Sequence, residues 1–284
     1  MVRFIESFGS ATAITVHDNL KANLKRTTTM TSEPYDFNFC FPIRDLESDR
    51  LKLTPFIVST SVCQGGDNQR TQPSKHAEGF IALEPPSYQY LPFGPFNSVE
   101  DFMANLYDVR IHPNRGQTLF AVYDKTQVSG ETGPGGSPDG ALAGVMGYTN
   151  TSEAHLTTEI GFVLTFPRFQ RTHVTSHAIG LLLHYALDLP SAGGLGLRRV
   201  EWRASPLNQA SIRAAERMGF KRDGYFRWNW VLPEGKDMGN GLQRRDGDPR
   251  MRNVGRDSVI MGICWDDWED SVKAQVDAVM ARTS

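Results

Sequence analysis

Apolar and polar positions change period once in a way that organises the rest of the chain. Over Glu159 to Phe166, written "EIGFVLTF", branched and aromatic side chains dominate, as a strand requires. Pro167 ends the run because it lacks a ladder donor and fixes φ. From Thr172 the period becomes helical: Val174, Ala178, Leu181, Leu182, Tyr185 and Ala186 fall on one stripe, while Arg171, His173, His177 and His184 take other positions. The unit is strand, tight loop, helix. Its loop, Arg168 to His173, leaves the first amides of the helix unpaired over the strand's end, which suits an anion. Strand-loop-helix units that bind nothing have the same pattern, so the pattern alone leaves the site open.

Elsewhere, "DRLKLTPFIV" alternates through Leu51, Leu53 and Phe56 and predicts an early strand, with "DFNFCFPI" alternating in part before it. "QGGDNQRTQP" reads as a loop, and "SKHAEGFIALEPP" as a helix closed by two prolines. "YQYLPFGPF" is ordered by aromatic packing rather than by periodic structure. Ser98 begins a capping-box-like start, and Phe102, Leu106 and Val109 mark one face of a helix reaching about Ile111. "TLFAVYDK" is a strand and "SGETGPGGSPDG" a surface loop; "ALAGVMGYTN" and "HLTTEIGFVLTF" are two strands joined by a turn around Thr151 to Ala154. Beyond the central helix come the strand "RRVEWRAS", a helix from Asn208 to Met218 stopped by Gly219, and the strand "GYFRWNWVL". A long polar loop over 232–252 leads to the last strand, "DSVIMGICW", and a helix beginning at Asp266 or Asp267. Residues 1–34 have no clear period and read as an N-terminal extension to one domain spanning 35–284.

Composition narrows the function classes. The 284 residues are 39% hydrophobic and 22% charged, ordinary for a globular protein with a proper core. A formal charge of -2 and a pI near 6.4 give no global electrostatic reason to expect nucleic acid or an anionic membrane as partner. The N-terminus has no apolar h-region and nowhere do 18 apolar residues run together, so neither secretion nor a membrane span is expected, and the location expected is cytoplasmic. Cys40, Cys63 and Cys264 are odd in number and far apart, which argues for reduced thiols in an intracellular protein rather than a disulfide framework or a zinc cluster. His173, His177 and His184 share one helix, but no cysteine or carboxylate completes a metal ligand set, and no Gly-x-Ser-x-Gly elbow is present.

Three stretches carry a resemblance. "EIGFVLTFPRFQRTHVTSHAIGLLLHYAL" resembles the acetyl-CoA-binding motif of the GNAT superfamily of N-acetyltransferases, in particular the branch that includes the ribosomal-protein-alanine acetyltransferases. In that family a Gln/Arg-x-x-Gly-x-Gly/Ala loop opens a helix, and its amides hold the CoA pyrophosphate. Gln170 matches, whereas His173 stands at the usual first Gly and Thr175 at the usual Gly or Ala. "RRVEWRASPLNQASIRAAERMGFKRDGYFR" resembles the family's strand, Asn-containing helix start and "GF" stop, and "GRDSVIMGICWDDWE" resembles the ending of the same sub-branch. The resemblance covers about residues 45 to 270 and implies an α+β (α/β) GNAT fold, a mixed, strongly twisted central sheet flanked by helices on both faces.

It also implies chemistry. Acetyl-CoA is the expected co-substrate, held by Phe162, Val163 and Leu164 on the central strand, by Gln170, Arg171, Thr172, His173, Val174 and Thr175 in the loop, and by Asn208, Ser211 and Arg213 on the next helix. Arg168 is a further phosphate candidate. Asn208 serves equally well as a plain N-cap and Ser211 as a solvated first-turn serine. Acyl transfer to an amine needs a base for the ammonium proton, donors for the oxyanion and an acid for the departing thiolate. Backbone amides near Val163 or Leu164 are the expected oxyanion donors. Glu159, then Glu201, is the expected base, though either can be an outward-facing strand carboxylate and water alone serves in many relatives; Ser211, a water or a group elsewhere is the expected source of the thiolate's proton. Tyr185 and Tyr225 read as core or rim aromatics, and Asp257 as the organiser of the last hairpin through Arg256 or Arg227. The acceptor expected is a primary amine of a small molecule or a peptide N-terminus, walled by "YLPFGPF" and the 232–252 loop, in a monomer or homodimer without nucleic acid or membrane. The alternatives are a longer acyl-CoA in the same fold, or a degenerate domain that binds CoA or a partner without catalysis.

Overall fold

Eight strands form one mixed sheet in the order β1-β2-β3-β4-β5-β6-β8-β7. They are β1 (Leu46–Glu47), β2 (Leu51–Pro55), β3 (Thr118–Asp124), β4 (Ala141–Ser152), β5 (Thr157–Thr165), β6 (Arg199–Ala204), β7 (Lys221–Val231) and β8 (Gly255–Cys264). This computed structural model describes residues 37–57, 76, 77, 81, 83, 85–127 and 139–282. The expected N-terminal extension, Cys63, most of "SKHAEGFIALEPP" and most of the loop before β4 lie outside the described residues.

Every neighbouring pair is antiparallel except β5 with β6. A parallel pair needs a crossover, and the helix α2 (His173–Leu187) supplies it between β5 and β6. Their pairing stops early: Thr157 faces Arg199, Thr158 faces Val200 and Glu159 faces Glu201. Past that point the two strands have no ladder between them.

The strand β5 carries a second irregularity at the same height. Gly161 pairs with Gly147 but Leu164 pairs with Val145, so β5 uses one residue more than β4 over the interval. Phe162 absorbs it at φ +54, in the left-handed region that is uncommon outside glycine. The bulge reverses the facing of the strand. Ile160 belongs to the core on one face of the sheet, while Phe162 and Leu164 belong to the core on the other.

Those two cores confirm helices on both faces. One gathers Val174, Leu182, Trp202, Met218 and Trp268 beneath α2, α3 (Gln209–Arg217) and the terminal helical run, which consists of α4 (Trp265–Asp267), a π-turn (Trp268–Val272) and α5 (Lys273–Met280). The other gathers Phe56, Tyr88, Phe93, Phe96, Phe102 and Tyr107 beneath the helix that follows Ser98. Its first turn, α1 (Val99–Phe102), is capped by Ser98 Oγ accepting from Asp101 N at 3.1 Å, and it runs on as a π-helix over Met103–Ile111. The i→i+5 bond from His112 N to Tyr107 O, 2.9 Å, widens the turn. Tyr107 and Ile111 are buried in consequence, and Val109, expected inside, is 65% exposed.

The apolar stripe expected on α2 is too narrow. His177, Ile179, Gly180 and Leu183 are buried as well, because the helix is covered by the sheet on one side and by α5 on the other. At Gly180 a Cβ would lie 2.2 Å from Met280 Sδ, so only glycine allows this approach without a shift of Met280. His177, off the expected apolar stripe, is thus an interior residue. His184 keeps part of its surface and bonds Asp188 through Nδ1 and Asp277 through Nε2, each at 2.8 Å. The expected turn after β4 lies slightly later, since β4 extends to Ser152.

Candidate active site

Where β5 and β6 part, a cavity of about 970 Å³ opens between them. Glu159, Phe162, Val163 and Leu164 line it from β5, Trp202 and Arg203 from β6, and Asn208, Ser211 and Arg213 from α3. The β5–α2 loop contributes Gln170, Arg171, Thr172, His173 and Thr175. Residues far apart in sequence meet here because the strands splay rather than pair.

The loop is fixed by its own side chains. Gln170 Nε2 donates to Thr165 O at 3.1 Å, tying the loop to the end of β5. Thr172 is the N-cap of α2: its Oγ1 accepts from Val174 N at 3.3 Å and donates to Phe169 O at 2.6 Å. The amide of Val174 is therefore taken and its side chain is fully buried, so Val174 is a core residue and not a lining one. The remaining first-turn amides have no intrahelical partner by the geometry of a helix start. Arg171 holds φ +62 and is exposed at the mouth of the cavity.

The two side chains that replace glycine turn inward. His173 Nε2 lies 3.3 Å from Asp124 Oδ1, and its ring meets His177 edge-on at 5.3 Å between centroids. Thr175 Oγ1 shares a hydrogen bond of 2.9 Å with Thr165 Oγ1. Both side chains still line the cavity, and the His173 imidazole lies beside Asp124 without a hydrogen bond to it. Arg168 departs from expectation too: its guanidinium stacks 4.5 Å over the Phe169 ring, outside the lining.

The two candidate bases separate clearly. Glu159 is 7% exposed and lines the cavity; Asn150 Nδ2 donates to its Oε2 at 2.7 Å, and Arg203 Nε approaches the same oxygen at 3.1 Å. Burial raises its pKa above the ordinary carboxylate value, only partly offset by Arg203 and Asn150. Glu201 is not part of the lining. Burial alone would raise its carboxyl, but the guanidiniums of Arg203 at 2.8 Å and Arg199 at 3.0 Å outweigh this and hold it below the ordinary value. A carboxylate so committed is a poor base, and Glu201 is better described as the anchor of Arg203.

On α3, Asn208 does cap the helix, its Oδ1 accepting from Ser211 N at 3.1 Å. That cap uses only the carbonyl half of the amide. Ser211 Oγ accepts from Trp202 Nε1 at 3.1 Å. Indole is only a donor, so the hydroxyl proton of Ser211 is left for another acceptor.

Charge distinguishes the lining most sharply. It carries seven arginines and a single carboxylate, that of Glu159. Arg171 comes from the loop, Arg213 and Arg217 from α3 and Arg282 from just beyond α5; Arg110 lies by Phe93 and Trp230, and Arg256 donates to Tyr90 O. Such a groove is built for an anion of several charges. Arg217 had a signal in the sequence, four residues after Arg213 on one helix face; Arg282, Arg256 and Arg110 had none.

Of the stretch 90–96 expected to wall the site, Tyr90, Leu91, Pro92 and Phe93 line the cavity and residues 94–96 do not, and the 232–252 loop does not reach it. The loop acts on that wall from behind. Lys236 Nζ donates to Tyr88 O at 2.7 Å, Leu91 O at 2.6 Å and Phe93 O at 2.7 Å. Burial pulls its pKa down to about 8, so at neutral pH the ammonium prevails and its three protons match three carbonyls. Asp257 organises the last hairpin, but through Tyr225 OH at 2.9 Å, Trp228 N at 2.7 Å and Asn240 Nδ2 at 3.0 Å rather than through an arginine side chain.

A family model described as an acetyltransferase (GNAT) domain matches residues 72–221, just over half of the chain. The chain belongs to the GNAT acetyltransferases. It is an acyltransferase by that membership. Solved structures agree on the fold. A GCN5-related N-acetyltransferase from Brucella melitensis is 23% identical, with a TM-score of 0.59 over 84% of this chain and 87% of that one. A probable acetyltransferase of the GNAT family from Chromobacterium violaceum is also 23% identical, with a TM-score of 0.55 over 88% and 100%. The ribosomal-protein-S5-alanine acetyltransferase from Vibrio fischeri is 15% identical, with a TM-score of 0.50 over 79% and 98%. Among curated protein sequences none matches this chain. No helix among the described residues of this GNAT chain is long and apolar enough to cross a membrane.

Proposed function

We propose that this GNAT enzyme transfers an acetyl group from acetyl-CoA directly to the primary amine of a soluble acceptor in the cytoplasm. The observation that carries the reading is the splay of β5 from β6 beyond Glu159 and Glu201, which opens onto seven arginines and one carboxylate. The chain's own residues fit CoA: the amides at the start of α2 and the lining arginines Arg171, Arg213, Arg217 and Arg282 suit its phosphates. The thioester supplies an activated acyl carbon. Glu159, directly or through a water, takes the proton that the ammonium must lose before attack. Backbone amides on the unpaired edge of β5 near Val163 and Leu164 face the carbonyl oxygen as charge gathers on it. The amine nitrogen gains the acyl carbon and loses its second proton to solvent, the carbon–sulfur bond breaks, and Ser211 passes its hydroxyl proton to the sulfur and recovers one from solvent. Neither Cys40 nor Cys264 lines the cavity, consistent with transfer in a ternary complex without an acyl-enzyme.

Calorimetric titration with acetyl-CoA, followed by thiol-release assays on an amine panel, tests this. Micromolar binding is expected, weakened about 10-fold or more in Arg213→Ala/Arg217→Ala and falling steeply with salt. A folded protein that binds octanoyl-CoA but not acetyl-CoA would move the reading to a longer acyl donor. Binding of acetyl-CoA without thiol release from any amine would leave a binding domain.

A further inference from the structure

The aromatic half of the groove holds a cation that amine acetylation does not use. Arg110, at the end of the π-helix, lines the cavity half-buried, with its guanidinium 5.1 Å from the Trp230 ring, 5.8 Å from Phe162 and 6.0 Å from Phe93. The other two guanidiniums on this side are committed. Arg203 is held by Glu159 and Glu201. Arg256 donates to Tyr90 O at 3.1 Å, Asp257 O at 3.3 Å and Ser258 Oγ at 3.3 Å. Arg110 alone of the three has neither a hydrogen bond nor an ion pair with any described residue. Burial depresses its pKa, and the charge of Glu159 works in the other direction, so the two groups sense each other across one cavity.

A guanidinium costs free energy to desolvate unless an acceptor meets its fork of N–H donors. Stacking on three aromatic rings holds this one rigid but leaves its edge without an acceptor from the protein. The partner that fits is a planar carboxylate, which pairs with one guanidinium in bidentate fashion; a phosphate dianion would call for a second free cation, and Arg203 and Arg256 are already committed. Seven arginines against one carboxylate also repel a polyamine.

We propose that the acceptor is an amino acid or short aminocarboxylic acid with an apolar or aromatic body. Its carboxylate docks on Arg110, its body lies against Phe93, Phe162 and Trp230, and its amine faces Glu159. This substrate class rests on the acetyltransferase reading, but the binding site itself does not.

The test therefore begins with binding. N-acetylphenylalanine and N-acetylphenylalaninamide differ in the carboxylate, and each is titrated calorimetrically into wild type, Arg110→Gln and Arg110→Lys. Wild type should bind the acid about 10- to 100-fold more tightly than the amide. The preference should vanish in Arg110→Gln and fall part-way in Arg110→Lys, with melting temperature and acetyl-CoA affinity unchanged. Equal binding of acid and amide by wild type, or an unchanged preference in Arg110→Gln, overturns the proposal. Thiol release with phenylalanine and phenylalaninamide then reads the acetyltransferase part separately. A carboxylate preference in binding without turnover of either amine condemns the acetyltransferase reading and leaves the Arg110 site standing.

Discussion

Replacing Glu159 by glutamine separates the base from the scaffold that holds it. The amide oxygen can still accept from Asn150 Nδ2, now 2.7 Å away, and Arg203 keeps Glu201 at 2.8 Å. What disappears is the charge and the proton acceptor. A positioned general base contributes ~10²- to 10⁴-fold, so kcat with an amine should fall at least about 100-fold, roughly 2.7 kcal/mol of barrier. Stability should move the other way. Burial raises the folded-state pKa of Glu159 above its value of 4.5 in the unfolded chain. The favourable contribution of such a group is fully present below the unfolded value and is lost as pH rises through the folded one. At pH 7 the wild type therefore bears the cost of a buried carboxylate, which glutamine removes. Thermal denaturation at pH 7 should show a melting temperature equal to or above that of wild type, and calorimetry an unchanged Kd for acetyl-CoA. In thiol-release assays across pH, the acid limb set by Glu159 should disappear from the variant. A variant with wild-type kcat, or one whose activity falls together with its melting temperature, refutes the assignment.

Two further outcomes follow from the buried polar groups. Lys236→Met takes the donor from the carbonyls of Tyr88, Leu91 and Phe93, at about 1–3 kcal/mol for each carbonyl left buried without one; hydrogen exchange over residues 86–97 should accelerate, and unchanged exchange there would deny the loop its hold on the wall. Burial keeps His173 and His177 below their ordinary pKa of 6.5, with Asp124 opposing it at His173. Their stabilising contribution is thus present above about pH 6.5 and lost as pH falls through the lower folded values, so denaturant melts should weaken on acidification and weaken less in His173→Gln/His177→Gln; identical pH profiles would show that other groups control acid stability.

Much of the fold was legible because it depends on neighbours in sequence. Thr172 and Asn208 cap helices through atoms two or three residues away, and Gly219 stops α3 with a φ of +91 that glycine adopts without strain. The alternation of β2, the Pro167 stop and the order of strands and helices are likewise local in period, and the motif stretches in β5–α2 and β6–α3 carried the family. Ser98 was legible as a cap, but the widening of its helix into a π-helix was not. Nothing within that stretch shows that Tyr107 and Ile111 would be buried at the expense of Val109; packing against the sheet decides it.

What the tertiary structure alone decided is where long-range partners meet. His177 became interior only because α5 covers the second side of α2, and Glu201 lost its candidacy to two arginines of its own strand whose rotamers face it. His173 and Thr175 stand where glycine is usual, and only the fold brings Asp124 of β3 and Thr165 of β5 to meet them while both still line the cavity. The aromatic cage of Arg110 joins a π-helix, the Phe93 segment that precedes α1, β5 and β7, elements whose contact depends on the order of strands in the sheet. Hydrogen-bond periods are written along a few residues of chain. The meeting of charges in a cavity depends instead on topology and strand splay, which no window of sequence contains.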